Sequence, residues 1–392
     1  MTAFKRRIVI VGGGVMGSAT AYFLASRRGN DAEIIIVERD STYAQASSAL
    51  SASGMRQQFS TPANIDLSTF GAEFLRNASV ALALGDEKPE VGFHEKGYLL
   101  IAGPAGADAM RQNHQIQMDR GARNILIEPE MLSKRFPWLS LDGISLACLG
   151  LAGEGWFDGY GLLQGFVRKA KALGCTYVAA KAVGFLEADG RIRAVELADG
   201  SQVSGDVFVL AAGCWSAPLA ASVGIDLPVR PRLRNVFSFS CRSPIDNCPL
   251  VVDNSGVYFR PEGRDQFICG VSPDPDPDDM PLEVDYTQWD DVLWPTLASR
   301  VPAFESIKMT GAWAGYYEFN TLDHNGIIGP HGVFHNLIFA TGFSGHGIMQ
   351  SPGVGLSVAE IIEDGHASSI DVSALGWDRI EGRRPIIERN VI

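Results

Sequence analysis

The feature that most constrains this chain is Gly12-x-Gly14-x-x-Gly17, set between the apolar run that ends at Val11 and a helix-like run from Val15 to Arg28. From Arg7 the chain enters the β-branched, apolar run Ile8 to Val11, the pattern of a parallel strand buried on both faces. Residues 15 to 28 (VMGSATAYFLASRR) carry Ala, Leu and Met at helical spacing, and Gly29-Asn30 ends the pattern with a turn signal. A second strand, Ile34 to Val37, closes on Glu38. Strand, glycine turn, helix, strand and terminal acid together make the dinucleotide fingerprint in its required context. Gly12 permits the tight turn, Gly14 lets the backbone approach a pyrophosphate, and Gly17 lets the helix pack close to the strand. A diphosphate there meets the unpaired N–H groups and dipole of a helix N-terminus, while Glu38 can accept hydrogen bonds from ribose hydroxyls.

Composition narrows the class. The chain has 392 residues, 46% hydrophobic and 20% charged, enough to bury a large core in two domains. A net charge of −12, with Lys5-Arg6-Arg7 as the one short basic run, argues against nucleic-acid binding. No run approaches the ~18 apolar residues of a membrane span, and no signal-peptide core precedes Gly12, so a cytoplasmic location is expected. Cys148, Cys175, Cys214, Cys241, Cys248 and Cys269 form no C-x-x-C pair, so buried free thiols are expected rather than a disulfide framework or a metal site.

Further apolar runs at Val207 to Leu210 and Leu337 to Ala340 each end in a glycine turn, which spreads the nucleotide-domain elements over three stretches of sequence. The expected fold class is α/β: a Rossmann-type domain from 1–85, 150–227 and 311–392, with a discontinuous α+β substrate domain on an antiparallel sheet from 86–149 and 228–310. The substrate part contains strand-like runs at 236–240, 256–259 and 267–271 and an acidic, proline-rich loop at 273–281.

The fingerprint alone does not separate NAD from FAD. The block Ala340-Thr341-Gly342-Phe343-Ser344-Gly345-His346-Gly347, followed by Ser351-Pro352 opening a helix, bears on that choice. Backbone N–H groups and a positive helix end converging there would stabilise the negative charge that reduced flavin carries at N1 and O2. A nicotinamide ring needs no such site.

With these pieces in place, the sequence resembles the D-amino-acid oxidase superfamily of FAD-dependent oxidoreductases, which includes sarcosine-, glycine- and dimethylglycine-oxidising enzymes. The matched stretches are GGGVMG with Glu38, VLAAGCWS at 209–216, VYFRPEG at 257–263 and the ATGFSGHG block. SGMRQQFS and WAGYYEFNTLDHNGIIGP are most similar to FAD-dependent oxidoreductase-domain proteins linked to respiratory complex I assembly. The resemblance implies a flavin site formed by Gly12, Gly14, Val15, Met16, Gly17, Glu38, Arg39, Ser47, Ser48, Met55, Arg56, Val183, Ala212, Gly213, Trp215, Gly315 and the run Gly342, Phe343, Ser344, Gly345, His346, Gly347 and Ile348. It also implies a substrate cavity lined by Tyr258 and Tyr317, for which the alternative is a pair of buried core tyrosines. Arg56 could face the flavin or an acidic substrate group, or pair on the surface; His346 could donate to the ring, tune its potential, or be structural.

Departures from the pattern carry information too. Gly315 and Ser51 stand where relatives tether flavin through cysteine and histidine, so noncovalent FAD is expected. The strand at 266–270 offers no lysine for oxygen activation, which suggests a dehydrogenase with an unknown electron acceptor. Phe59 and Met349 replace the sarcosine-type carboxylate clamp, and Arg230, Arg232 and Arg234 could supply the missing positive charge or mark an exposed strand edge. The expected activity is oxidation of the C–N bond of an amino acid or N-substituted amine by hydride transfer to flavin N5. A 2-hydroxy-acid dehydrogenase with His346 as base, and a flavin-binding assembly factor with little turnover, stay open as alternatives.

Overall fold

In the computed structural model, which describes residues 5–28 and 32–390, the strand Arg6–Val11 lies within a six-stranded sheet. It pairs in parallel with Ala32–Glu38 on one side and Val207–Leu210 on the other. Thr176–Ala179 and Leu337–Thr341 extend the parallel array outward, and Ile327–Pro330 closes one edge antiparallel. Alternation along the pleat decides the layers. Ile8 and Ile10 face a core shared with the helices Val15–Arg28, Gly159–Ala172 and Gly347–Asp364, while Val9 and Val11 face a core shared with the meander strands Ala182–Ala188 and Arg191–Leu197. The α/β expectation is thus met, with all three expected stretches contributing strands. The turn residues Gly29-Asn30 lie outside the described residues.

The second large sheet has eight strands in the order Lys308–Asn320, Val229–Ser240, Gln266–Gly270, Tyr258–Pro261, Leu250–Val252, Tyr98–Ala102, Leu146–Ala152 and Arg123–Ile127. It is antiparallel except where Leu250–Val252 runs parallel to Tyr98–Ala102. Its core is aromatic: Phe237, Phe239, Phe259, Phe267 and Phe304 are all nearly inaccessible. The boundaries read at 150 and 311 fall inside Leu146–Ala152 and Lys308–Asn320. Hydrogen bonding to Val229–Ser240 along almost its full length commits 308–320 to this sheet, and no composition change marks that commitment.

Two local expectations are corrected. The last long helix begins at Gly347, and Pro352 lies inside it. Pro352 has no N–H for the Ile348 carbonyl, and the Ser351 hydroxyl donates to that carbonyl instead, at 2.9 Å. Arg230, Arg232 and Arg234 do not mark an exposed edge either: residues 230–234 pair with Lys308–Asn320 on one side, and on the other the acidic loop closes over them through an Arg232–Asp278 bridge and the Asp279 amide, which donates to the Pro231 carbonyl at 3.0 Å. All six cysteines are buried and unpaired. Among the described residues, no helix is long and apolar enough to cross a membrane.

Candidate functional site

The glycine turn after Arg6–Val11 opens into a cavity of about 500 Å³ between the two large sheets. That lies within the ~300–1,000 Å³ typical of small-molecule sites. Gly12 has φ +100°, and a Cβ there would lie 2.3 Å from the Ala211 carbonyl oxygen, so no side chain fits between the strands. Gly14 is different: a Cβ there would meet only Ser48 Oγ, at 3.5 Å, leaving the backbone face open to the cavity. Gly17 packs against the Gly12 carbonyl, which a Cβ would approach to 1.9 Å. Glu38 accepts from the Gly13 amide at 2.7 Å through one oxygen and from the Asp40 amide at 2.9 Å through the other. Each oxygen keeps a further lone pair for a ligand hydroxyl. Arg39 lies 3.5 Å over the Trp215 ring and walls this end.

The segment 47–55 crosses from the nucleotide sheet to the antiparallel sheet and is tied down on the way. Ser47 Oγ donates to the Tyr316 carbonyl at 2.6 Å, Trp313 Nε1 donates to the Leu50 carbonyl at 2.9 Å, and Arg260 Nε donates to the Ala52 carbonyl at 2.9 Å. This fixes Arg56 at the far end. Arg56 is 3% exposed, lines the cavity, lies 3.9 Å over the Phe59 ring, and donates to the Gln58 carbonyl at 2.6 Å and to the Asn390 carbonyl. It is therefore not a surface ion-pair residue.

The structure brings most of the sequence-expected residues to one surface. Gly12, Gly14, Val15, Met16, Glu38, Arg39, Ser47, Ser48, Arg56, Val183, Ala212, Gly213, Trp215, Gly315, Ser344, Gly345, Gly347 and Ile348 line the cavity, together with Tyr258 and Tyr317. Gly17, Met55, Gly342, Phe343 and His346 are not part of its wall. His346 is 1% exposed, packs edge-on against Phe59 at 5.2 Å, and has neither ring nitrogen hydrogen-bonded within the protein. Burial, reinforced by the Arg56 charge, pushes its imidazole down to about 3, so it is neutral at physiological pH and a poor base. Arg232 and Arg234 are also not free charges. Asp276 from the acidic loop bridges both, at 2.7 and 2.8 Å to Arg234 and 3.0 Å to Arg232, and Asp278 takes Arg232 at 2.9 Å. Arg230 turns back to the Leu227 and Val229 carbonyls.

Sequence reading missed Tyr98, Glu318 and Glu154. Tyr98 joins Tyr258 and Tyr317 on the cavity wall, and burial pushes all three phenols up, keeping them protonated donors. Glu318 lines the cavity and accepts from the Gly342 amide and the Thr341 hydroxyl, both at 2.9 Å. The Ser344 amide donates to the Glu318 carbonyl at 3.1 Å, and the His346 amide to the Phe343 carbonyl at 3.1 Å. Several amides of the glycine turn are thus occupied inside the protein; those of Gly347 and Ile348 open the helix, where no intrahelical partner exists. A lone acid in the aromatic run YYEFN was the available signal for Glu318. Glu154, 2% exposed, accepts from the Gln57 amide and Gln58 Nε2, both at 2.7 Å, and so braces the segment that carries Arg56.

Burial pushes the Glu318 and Glu154 carboxyls each up to about 7. A carboxyl whose folded pKa is raised binds more protons folded than unfolded, so stability falls as pH climbs from about 4.5 to about 7. Glu318→Gln removes one such group while keeping an acceptor for Gly342 and Thr341. Between pH 5 and pH 8 the variant is expected to gain on the wild type by roughly 3 kcal/mol in urea unfolding of the apoprotein. An unchanged difference across that range would refute the assignment.

A glycine turn and helix N-terminus, an acid at the next strand end and a second helix N-terminus, all on one cavity beside an antiparallel sheet, define a nucleotide-cofactor oxidoreductase. The chain belongs to the family described as FAD dependent oxidoreductase (DAO), whose model matches residues 7–361. It is 41% identical to the FAD-dependent oxidoreductase domain-containing protein 1 of Xenopus laevis over 98% of this chain and 84% of that protein. It is 26% identical to the glycine oxidase of Geobacillus kaustophilus over 91% of this chain and 92% of that enzyme. Among solved structures, the L-proline dehydrogenase of P. horikoshii superposes with a TM-score of 0.84 at 26% identity, covering 96% of this chain and 98% of that one. The residues present fit FAD: the open Gly14 backbone, the spare lone pairs of Glu38 and the helix start at Gly347 line a single cavity.

Proposed function

We propose that the protein binds FAD noncovalently and oxidises the C–N bond of an amino acid or N-substituted amine, handing the electrons to another acceptor more readily than to O2. The observation that carries this reading is Arg56, a buried guanidinium on the cavity wall whose hydrogen bonds within the protein go to carbonyls rather than to a carboxylate. A guanidinium so placed grips a substrate carboxylate in a way that no neutral group does. FAD, when bound, supplies the hydride acceptor at N5. The chain's own part is to orient and to exclude water: Arg56 anchors the carboxylate, while Tyr98, Tyr258 and Tyr317 pack on substrate carbon and donate from phenols that stay protonated. A neutral amine needs no dedicated base. This agrees with His346 lying off the cavity wall, which removes support from a hydroxy-acid dehydrogenase using it.

Noncovalent binding is supported by the cavity wall, where the described residues include neither cysteine nor histidine. Acid precipitation of the holoprotein is expected to leave the yellow colour in the supernatant; colour in the pellet would show a covalent link. The dehydrogenase reading is supported by the lysines. Among the described residues the one lysine on the wall, Lys181, lies next to Ala180, whose amide donates to the Glu38 carbonyl, so it sits at the nucleotide end. The functional test is anaerobic bleaching of the flavin with secondary amines, D-amino acids and 2-hydroxy acids. Bleaching by amines, with turnover in air well below that with an artificial acceptor, is the expected result. Bleaching by hydroxy acids alone would favour the rival dehydrogenase, and bleaching by none would favour a flavin-binding protein with little turnover.

A further inference from the structure

Arg56 does not hold its place unaided. We infer that the segment Ile386–Asn390 is a positioning element for the cavity, and that Glu388, which does not line it, acts on substrate binding through Arg56.

The segment is built into the interior by a continuous polar network. Asp323, fully buried, is bridged by Arg379 at 2.7 Å and accepts from the Ile386 amide at 3.2 Å, while its carbonyl accepts from the Glu388 amide at 3.1 Å. Asn325 donates from its side chain to the Ile386 carbonyl. Glu388, 1% exposed, then accepts from the Ser60 amide at 2.8 Å, the Ser60 hydroxyl at 2.7 Å, the Thr61 amide at 2.9 Å and Asn64 Nδ2 at 3.1 Å. Thr61 is the N-cap of the helix Pro62–Ala81 and makes no side-chain capping bond of its own. Glu388 supplies in its place a charge that the helix dipole favours. These bonds hold the carboxylate ionised against its burial, and its pKa is lowered overall.

From Glu388 the network reaches the cavity in two steps. Its carboxylate accepts from the Asn390 amide at 3.0 Å, and the Asn390 carbonyl accepts from Arg56. The Asn390 side chain donates to the Gln58 carbonyl at 3.1 Å, the same carbonyl that takes the other end of the Arg56 guanidinium at 2.6 Å. Asn390 is held from its far side by Asn113 at 3.2 Å. Two of the acceptors that aim Arg56 therefore depend on where Glu388 sets residue 390 and the 58–61 turn. Without them the guanidinium has free rotamers to sample, and each lost degree of order weakens its grip on a ligand.

The inference rests on the proposed role of Arg56, and the test separates the two. The probe is benzoate, titrated against the FAD-loaded protein and read from the flavin absorbance band, in the wild type, Glu388→Ala, Glu388→Gln, Arg56→Met and the Glu388→Ala/Arg56→Met pair. Glu388→Ala is expected to weaken benzoate at least tenfold with FAD content retained. Glu388→Gln, which keeps the shape and one acceptor oxygen, should lose less. In the Arg56→Met background the same alanine change should add under twofold. A loss of equal size in both backgrounds, or no loss in either, overturns the inference. Should Glu388→Ala not fold, Ser60→Ala removes the Ser60 hydroxyl's bonds to Glu388 and to the Arg389 amide while the Ser60 and Thr61 amides and Asn64 still hold the carboxylate, and is expected to weaken benzoate in the same Arg56-dependent way. A crystal structure of the variant gives the second readout: Arg56 displaced from the Asn390 carbonyl supports the inference, and an unmoved Arg56 refutes it. If benzoate fails to bind an FAD-loaded wild type, the carboxylate role of Arg56 falls, and the crystal structure alone decides the positioning role.

Discussion

Gly14→Ala is expected to leave the fold standing and to weaken FAD binding at least tenfold, whereas Gly12→Ala should undermine the fold itself. The same methyl group is added two residues apart, and the surroundings decide the outcome. At Gly14 the new carbon meets only the Ser48 hydroxyl, at 3.5 Å, so the apoprotein tolerates it; the group then stands on the face that the cofactor diphosphate must approach. At Gly12 the backbone sits at φ +100°, and the added carbon would lie 2.3 Å from the Ala211 carbonyl oxygen and 2.8 Å from Ala212 Cα. Positive-φ strain and a backbone collision that no rotamer relieves should cost at least about 3 kcal/mol. Urea unfolding of the two apoproteins and FAD titration by flavin fluorescence separate the effects. Wild-type FAD affinity in Gly14→Ala would remove the glycine turn from the cofactor site.

The second large effect is Arg56→Met, expected to lower kcat/KM for a carboxylate-bearing amine by roughly 10²–10³-fold while FAD stays bound. Removing one member of a buried, hydrogen-bonded charge pair costs about 2–5 kcal/mol, because the partner loses its donors as well as its counter-charge. The methionine keeps most of the packing on Phe59, so a loss confined to turnover is distinguishable from misfolding. The loss should appear mainly in KM if Arg56 binds ground state and transition state alike, and in kcat if it aligns the substrate only for reaction. Equal turnover by wild type and variant would leave the cavity without its carboxylate anchor, and with it the amino-acid reading.

Tertiary pairing explains why some of this site was legible in the sequence and some was not. Gly12, Gly14, Gly17 and Glu38 could be read because their work is local: a tight turn, an open backbone and a strand end each leave a residue signature within thirty positions. For Arg234 the sequence leaves two readings, a charge for the substrate or an exposed strand edge, because Asp276, which pairs with it, lies on a distant loop. His346 sits inside the motif that defines the turn, yet the helix starting at Gly347 leaves its ring against Phe59 rather than on the cavity wall.

By itself the sequence determined the parallel nucleotide sheet and its glycine turn, since strand periodicity and glycine spacing act over short range, and its matched stretches were enough for the family resemblance. Only the tertiary structure decided which charges are free, which amides of the second glycine turn are occupied, and that residues 386–390 return to hold Arg56. Those facts depend on hydrogen-bond partners as far as 334 positions apart along the chain. No local pattern encodes which distant carboxylate or carbonyl will arrive, because that is settled by how two sheets and their connecting segments pack.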